Sequence, residues 1–358
     1  MSRRAEEFVR ATVRPLAAYG PPRDPAAVAL HLNESPSDLP AELKRELAAQ
    51  LQALDWSRYP ITDGARLAAD LARAHGLDPS GVLVGNGSNE LLQLLLFACV
   101  DPGDTVVVAE PSFALYSLQA KALGARVVSV PLRQGQGEFR FPVEELARAS
   151  RGAKVVLLGS PNNPTGTTLS SEDAARLARE VPCLLGIDEA YRDFCGQDFA
   201  PLLAQAPRLV LFRTFSKALA AASLRAGCLL GPPALCAELR KVQLPYNLSA
   251  FTSLIGRALL ARPELVRDRA RLVMAERERV GHALRELGAT VHASGANFLL
   301  FEQERRPANE LHAALFRRGV LIRNVSSAPG LSRALRVSIG APALNDAFLA
   351  ALRAEMGA

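Results

Sequence analysis

The stretch CLLGIDEAYRDFCGQDFAPLLAQAPRLVLFRTFSKALAAASLR, residues 183–225, decides the architecture. It holds two short apolar runs, Cys183–Asp188 and Leu209–Arg213, and each ends in a cluster of polar or reactive side chains. Unbroken apolar runs of this length do not alternate, so they read as strands buried on both faces, the pattern of a parallel sheet covered by helices. Val155–Leu158 repeats the pattern upstream and runs into SPNNPTG at 160–166.

Outward from there, helical and strand patterns alternate. Leu43, Leu47, Leu51 and Leu54 predict a helix over 41–54, and another is expected over 65–75. Val82–Val84 reads as a strand entering GNGSNE and a helix from Glu90 to Val100. Thr105–Ala109 and Arg126–Val130 are strands around a helix over 113–123, which Gly124 closes. Leu229–Leu230 ends one further strand. From about Ala258 the texture changes to one long charged helix over 262–287. Strands at Phe298–Phe301, Val320–Ile322 and Ala334–Ile339 follow, with helices over 309–318 and 344–354. The fold class is α/β: a large domain with a mostly parallel sheet flanked by helices, plus a smaller α+β domain.

Composition excludes several functions. The 358 residues are 49% apolar and 22% charged, ample for a large core. The net charge of +6 comes from scattered arginines without a basic run or interleaved aromatics, so no nucleic-acid partner is expected. The five cysteines form no C-x-x-C pair and read as buried, reduced thiols without a metal. The first residues lack the apolar core of a secretory signal. The longest apolar stretch, Leu91–Val100, is too short to span a bilayer. A soluble, cytoplasmic protein is expected.

SPNNPTG, IDEAY at 187–191 and TFSKALAAASLR at 214–225 carry the chemistry, because ligands in open α/β sheets bind beyond the carboxyl ends of the strands. A desolvated Lys217 would be a nucleophile for carbonyls; its plain alternative is a surface lysine. Asp188 ends an apolar run and calls for a cationic partner there, unless it is only a helix cap or a structural ion pair. Tyr191 and Asn163 can reach the same edge of a ligand, although N-P and T-G are also simple turn dipeptides. GNGSNE opening a helix suits an anion, with Ser216 and Arg225 as further donors.

In that order these motifs resemble the fold-type I pyridoxal 5′-phosphate (PLP) dependent aminotransferases of class I/II, and among them the histidinol-phosphate aminotransferases. RYP at 58–60, EPSFALY at 110–116, PYNLSA at 245–250, ANFLLF at 296–301, RGVLIRNV at 318–325 and LRVSIGAPALNDAFLAAL at 335–352 extend the likeness along the chain. The resemblance implies a seven-stranded large PLP-binding domain over 35–258 and a small domain over 259–358, onto which an N-terminal segment, 1–34, packs. It implies that Lys217 forms the Schiff base and then moves the proton, and that Asp188 pairs with the ring nitrogen. Tyr191 and Asn163 bond the ring oxygen. Ser216, Arg225, Ser88 and Asn89 hold the phosphate, and Phe113 stacks on the ring. Tyr59 reaches the cofactor phosphate of a partner subunit, which implies a homodimer. Arg336 and Arg323 anchor anionic substrate groups, with Tyr19 and Asn33 also at the substrate.

Histidinol phosphate with 2-oxoglutarate or glutamate is the implied substrate pair. HLNESPSDLP at 31–40 departs from the family's longer LNxNENPYGP-like stretch, so an aromatic amino-acid aminotransferase and a threonine-phosphate decarboxylase stay open. A non-catalytic ligand-sensing module of the same fold would be expected to have lost Lys217 or Asp188.

Overall fold

The computed structural model describes residues 4–20 and 24–357; residues 1–3 and 21–23 of the N-terminal segment, and residue 358, lie outside the described set. Seven strands form the larger sheet, in the order Val82–Asn86, Ala226–Leu230, Leu209–Thr214, Leu184–Asp188, Val155–Gly159, Thr105–Glu110, Arg126–Pro131. Ala226–Leu230 runs antiparallel to both neighbours, and the other pairings are parallel.

The uninterrupted apolar runs have a direct cause. Val107, Val156, Leu158, Ile187 and Leu211 point into one core with Leu67 and Leu71 of the helix Asp63–His75. Val106, Val108, Val155, Leu157 and Phe212 point into the opposite core with Leu91, Leu95 and Leu96 of the helix Ser88–Cys99. Both faces are dry, so these strands are apolar almost throughout, and the charged side chain inside one of them, Arg213, is buried against Glu189 and Asp198.

The second sheet has the order Val28–Leu30, Val320–Asn324, Ala334–Ser338, Phe298–Gln303, Ala289–Val291. Phe298, Phe301, Leu311 and Phe348 fill its core, beneath the helices Pro263–Glu286, Ala308–Arg317 and Pro342–Met356. The N-terminal segment divides. Val28–Leu30 pairs in parallel with Val320–Ile322 of the small sheet. Thr12 instead donates from Oγ1 to the Ala122 carbonyl of the large unit at 3.0 Å.

Several boundaries move. The helix expected from Glu90 begins at Ser88, which brings its N-terminus to the site. The helix expected from Phe113 is Leu115–Ala122, and Leu229–Leu230 closes a strand that starts at Ala226. Three of the cysteines, Cys99, Cys183 and Cys195, are only half-buried; Cys228 and Cys236 are buried, and all five are free thiols. Among the described residues no helix is long and apolar enough to cross a membrane.

Candidate active site

A cavity of about 440 Å³ opens at the carboxyl ends of the large sheet's parallel strands and is roofed by the small sheet. Asp188, Tyr191, Lys217, Ser216, Arg225, Asn163, Ser88, Asn89 and Phe113 line it, together with Arg336, Arg323, Tyr19 and Asn33.

Asp188 is the last residue of its strand, where the backbone leaves the sheet and the side chain turns into the cavity. Its Oδ2 accepts from the Tyr116 hydroxyl at 2.9 Å and its Oδ1 from the Ala190 N–H at 3.0 Å. Burial pushes the carboxyl up to about 6, against the pull of these two bonds. Lys217 sits just past the strand Leu209–Thr214, and its Nζ donates to the Leu32 carbonyl at 3.0 Å. Desolvation first, then the Arg336 charge, draws its ammonium down to about 8. Glu34 and Asp188 pull it the other way. An amine held there is a free base far more often at neutral pH than a surface lysine.

Tyr191 accepts from Asn33 Nδ2 at 3.0 Å, and burial pushes its phenol up to about 12. Asn33 is itself pinned in the left-handed region, φ 55°, by bonds with Ser338 and Asn297. Asn163 uses its Oδ1 to accept from Arg336, which leaves its amide N–H₂ as the donor for a ligand.

The anion seat is built from close backbone approach. Gly87, at φ 79°, precedes the helix Ser88–Cys99, and a Cβ there would stand 2.6 Å from Arg225 Nη2. Arg225 donates through Nη1 to Ser216 Oγ at 3.3 Å and to the Ala222 carbonyl at 3.1 Å. A helix N-terminus, a hydroxyl and a guanidinium therefore share one wall, a set of donors that suits a phosphate monoester. Gly227, on the antiparallel strand, carries the same constraint, since its Cβ would meet Ser88 N at 2.3 Å. Gly227→Ala is expected to displace this loop, lowering stability by about 1–3 kcal/mol and weakening anion binding; thermal unfolding with and without inorganic phosphate checks it.

The opposite wall is cationic. Arg323 and Arg336 are register partners on adjacent antiparallel strands. Arg336 donates through Nη2 to the His31 carbonyl at 2.7 Å and lies 5.1 Å over the Phe298 ring. Burial, with Arg323 adding to it, draws this guanidinium down to about 10. Its Nε is buried without a hydrogen-bond partner among the described residues. Two cations facing one cavity are a seat for an anion. Phe113 meets the Tyr19 ring edge-on, with centroids 5.6 Å apart.

Tyr59 is absent from this cavity: it is 73% exposed and stacks on Tyr246 at 4.8 Å. Tyr116 and Thr214 of the cavity wall were among those assigned no part by the sequence. Tyr116 is at the end of EPSFALY, three positions after Phe113, and Thr214 donates to Ser216 Oγ at 3.0 Å. The spacing of Tyr116 from Phe113 was the available signal, since the turn that opens the helix, with the Tyr116 N–H donating to the Phe113 carbonyl at 3.1 Å, brings the two rings together.

The family model for aminotransferase class I and II matches residues 26–352. The chain is 36% identical to a histidinol-phosphate aminotransferase of Chlorobium phaeobacteroides, over 99% of this chain and 98% of that one. It is 33% identical to a histidinol-phosphate aminotransferase of Caldanaerobacter subterraneus, over 97% of this chain and 98% of that one. Among solved structures it is similar to the histidinol-phosphate aminotransferase of Sinorhizobium meliloti in complex with pyridoxal 5′-phosphate. That match has a TM-score of 0.84 and 25% identity, over 93% of this chain and 91% of that one.

Proposed function

The chain belongs to the class I and II aminotransferases, and within that family we propose that it moves the amino group of histidinol phosphate to 2-oxoglutarate with pyridoxal 5′-phosphate as cofactor. The observation that carries this reading is the convergence on one cavity of a lysine with a lowered pKa, a buried carboxylate, a phosphate-type seat and a pair of arginines.

The residues present fit that cofactor. Gly87 leaves room for Arg225 to complete the seat with Ser216, Ser88 and Asn89, which would hold the cofactor phosphate. Asp188 would face the ring nitrogen, Tyr191 and Asn163 the ring oxygen, and Phe113 the ring face. Bound there, the cofactor supplies an aldehyde that takes up the substrate amine and a protonated pyridine ring that accepts electrons from the breaking Cα–H bond.

The protein's own groups do the rest. Asp188, ionised, keeps the ring nitrogen protonated. Lys217 Nζ, as a free amine, would take the proton from substrate Cα and give it back on the cofactor side; its lowered pKa suits both directions near neutral pH. Arg336 and Arg323 bind the phosphate of histidinol phosphate and, in the second half of the cycle, the carboxylate that glutamate carries in the same place on Cα. Forked, charge-assisted contacts serve either anion. Tyr19 closes over the substrate side against Phe113, and Asn33 holds Tyr191 in place.

The assay supplies histidinol phosphate and 2-oxoglutarate to the cofactor-loaded protein and measures glutamate. One glutamate formed per substrate consumed supports the reading. Turnover only with phenylalanine or tyrosine would assign the aromatic activity, and carbon dioxide from threonine phosphate would assign the decarboxylase.

A homodimer accompanies this function. Trp56, Tyr59, Ile61, Leu244 and Tyr246 are exposed apolar side chains, an arrangement suited to a second copy. Sedimentation should give a dimer at micromolar concentration. With Tyr59 crossing to the partner's cofactor phosphate, mixing Tyr59→Ala and Lys217→Ala subunits should recover activity, because a mixed dimer contains one intact site. A monomer, or no recovery on mixing, contradicts the crossing. The reduced thiols accord with a cytoplasmic setting.

A further inference from the structure

Tyr116 belongs to the short helix Leu115–Ala122 and is 3% exposed. Its ring is held edge-on by Phe113, with centroids 5.7 Å apart. Its hydroxyl is 2.9 Å from Asp188 Oδ2. The neighbouring strand makes way for it: Gly159 pairs in register with Asp188, and a Cβ at Gly159 would stand only 3.2 Å from the Tyr116 oxygen. One oxygen of Asp188 is thus occupied by a phenol and the other by the Ala190 N–H.

We propose that Tyr116 is a positioning residue for the cofactor, fixing the Asp188 carboxylate and keeping it ionised so that the ring nitrogen meets a charged partner. This rests on the function proposed above and deepens it.

The charges around Asp188 define what the phenol contributes. Lys217 favours the ionised form across the cavity, and Glu189, next in the chain, opposes it. Glu189 is itself paired with Arg213 at 2.8 Å, which limits that opposition. Tyr191 also faces the carboxylate, from the loop after the strand, with its hydroxyl oxygen accepting from Asn33. Burial acts against ionisation more strongly than any of these groups, so the two hydrogen bonds decide how far Asp188 remains a carboxylate. Burial and the facing Asp188 charge push the Tyr116 phenol well above its ordinary value, so it stays a donor throughout the working pH range. A phenol that cannot ionise and a carboxylate that can give the bond one polarity only.

The test uses the apoprotein and pyridoxine 5′-phosphate, which has the ring nitrogen and phosphate but no aldehyde and so cannot bond to Lys217. Calorimetric binding is followed across pH for the wild type, Tyr116→Phe, Asp188→Asn and the double variant. Tyr116→Phe keeps the ring that packs on Phe113. Losing a hydrogen bond to a charged group should weaken binding about tenfold at neutral pH. The low-pH edge of binding should move up by roughly one pH unit, since Asp188 then protonates earlier. On the Asp188→Asn background the same change should add almost nothing, because Tyr116 acts through the charge on Asp188. Unchanged affinity and pH edge in Tyr116→Phe, or an equal loss on both backgrounds, would overturn the proposal. Failure of the wild-type apoprotein to bind the probe would instead overturn the cofactor reading beneath it.

Discussion

Replacing Lys217 by alanine should reduce amino transfer by at least about 10⁴-fold while the protein stays folded. Both halves of that expectation come from the same environment. The side chain makes one hydrogen bond, to the Leu32 carbonyl, and joins no ion pair among the described residues. Its ammonium is disfavoured by burial and by Arg336, so a folded-state pKa near 8 stands below that of an unfolded lysine. The unfolded chain therefore binds more protons between about 8 and the ordinary lysine value, and the native state gains stability as pH rises through that window. Below it, the charged lysine is a burden on the fold. The alanine variant should consequently unfold at or above the wild-type temperature at neutral pH. A destabilised variant would mean that Lys217 is structural, and residual turnover near the wild-type rate would mean that another group moves the proton.

Arg336→Ala should raise KM about 100-fold for both histidinol phosphate and glutamate if, as proposed, one guanidinium serves the phosphate of the first and the carboxylate of the second. The variant also strips Asn163 Oδ1 and the His31 carbonyl of a donor, which costs about 1–3 kcal/mol. Relief of the Arg323 repulsion offsets part of that cost. Arg336→Lys should not rescue binding, since an ammonium cannot hold Asn163 and His31 in a fork and still present a flat donor pair to the ligand. A KM for glutamate left at the wild-type value would remove Arg336 from the shared seat.

The large sheet was legible because its strands are covered on both faces. Val155–Gly159, Leu184–Asp188 and Leu209–Thr214 are apolar almost to the cavity, with the ion-paired Arg213 as the charged exception, so apolar run and reactive residue stood side by side in the sequence. Elements with a weaker demand on composition were missed. The helix Ser171–Glu180 buries only Ala174 and Leu177, although Ser170 caps it through Asp173 N at 3.0 Å. The hairpin of Arg133–Gly135 and Glu138–Arg140 is largely exposed and leaves little pattern. Val28–Leu30 is three residues long and finds its partner in Val320–Ile322, a pairing that no local period encodes.

The site divides in the same way. Lys217, Asp188 and Asn163 lie where strands end, and the helix start at Ser88 follows a glycine turn. The contacts that set their chemistry join distant segments: Tyr116 meets Asp188 across 72 positions, and Asn33 meets Tyr191 across 158. HLNESPSDLP departs from its family's pattern, yet it supplies Leu32 to Lys217, His31 to Arg336 and Asn33 to Tyr191. Its backbone carbonyls and one amide do this work, and backbone carbonyls carry no sequence signature.

The decisive measurement is the absorbance of the cofactor-loaded protein after histidinol phosphate is added without any keto acid. The long-wavelength band should be lost in a single stoichiometric turnover and return when 2-oxoglutarate is supplied. A band that persists at saturating histidinol phosphate, or a protein that takes up no pyridoxal 5′-phosphate at all, would contradict the proposed function.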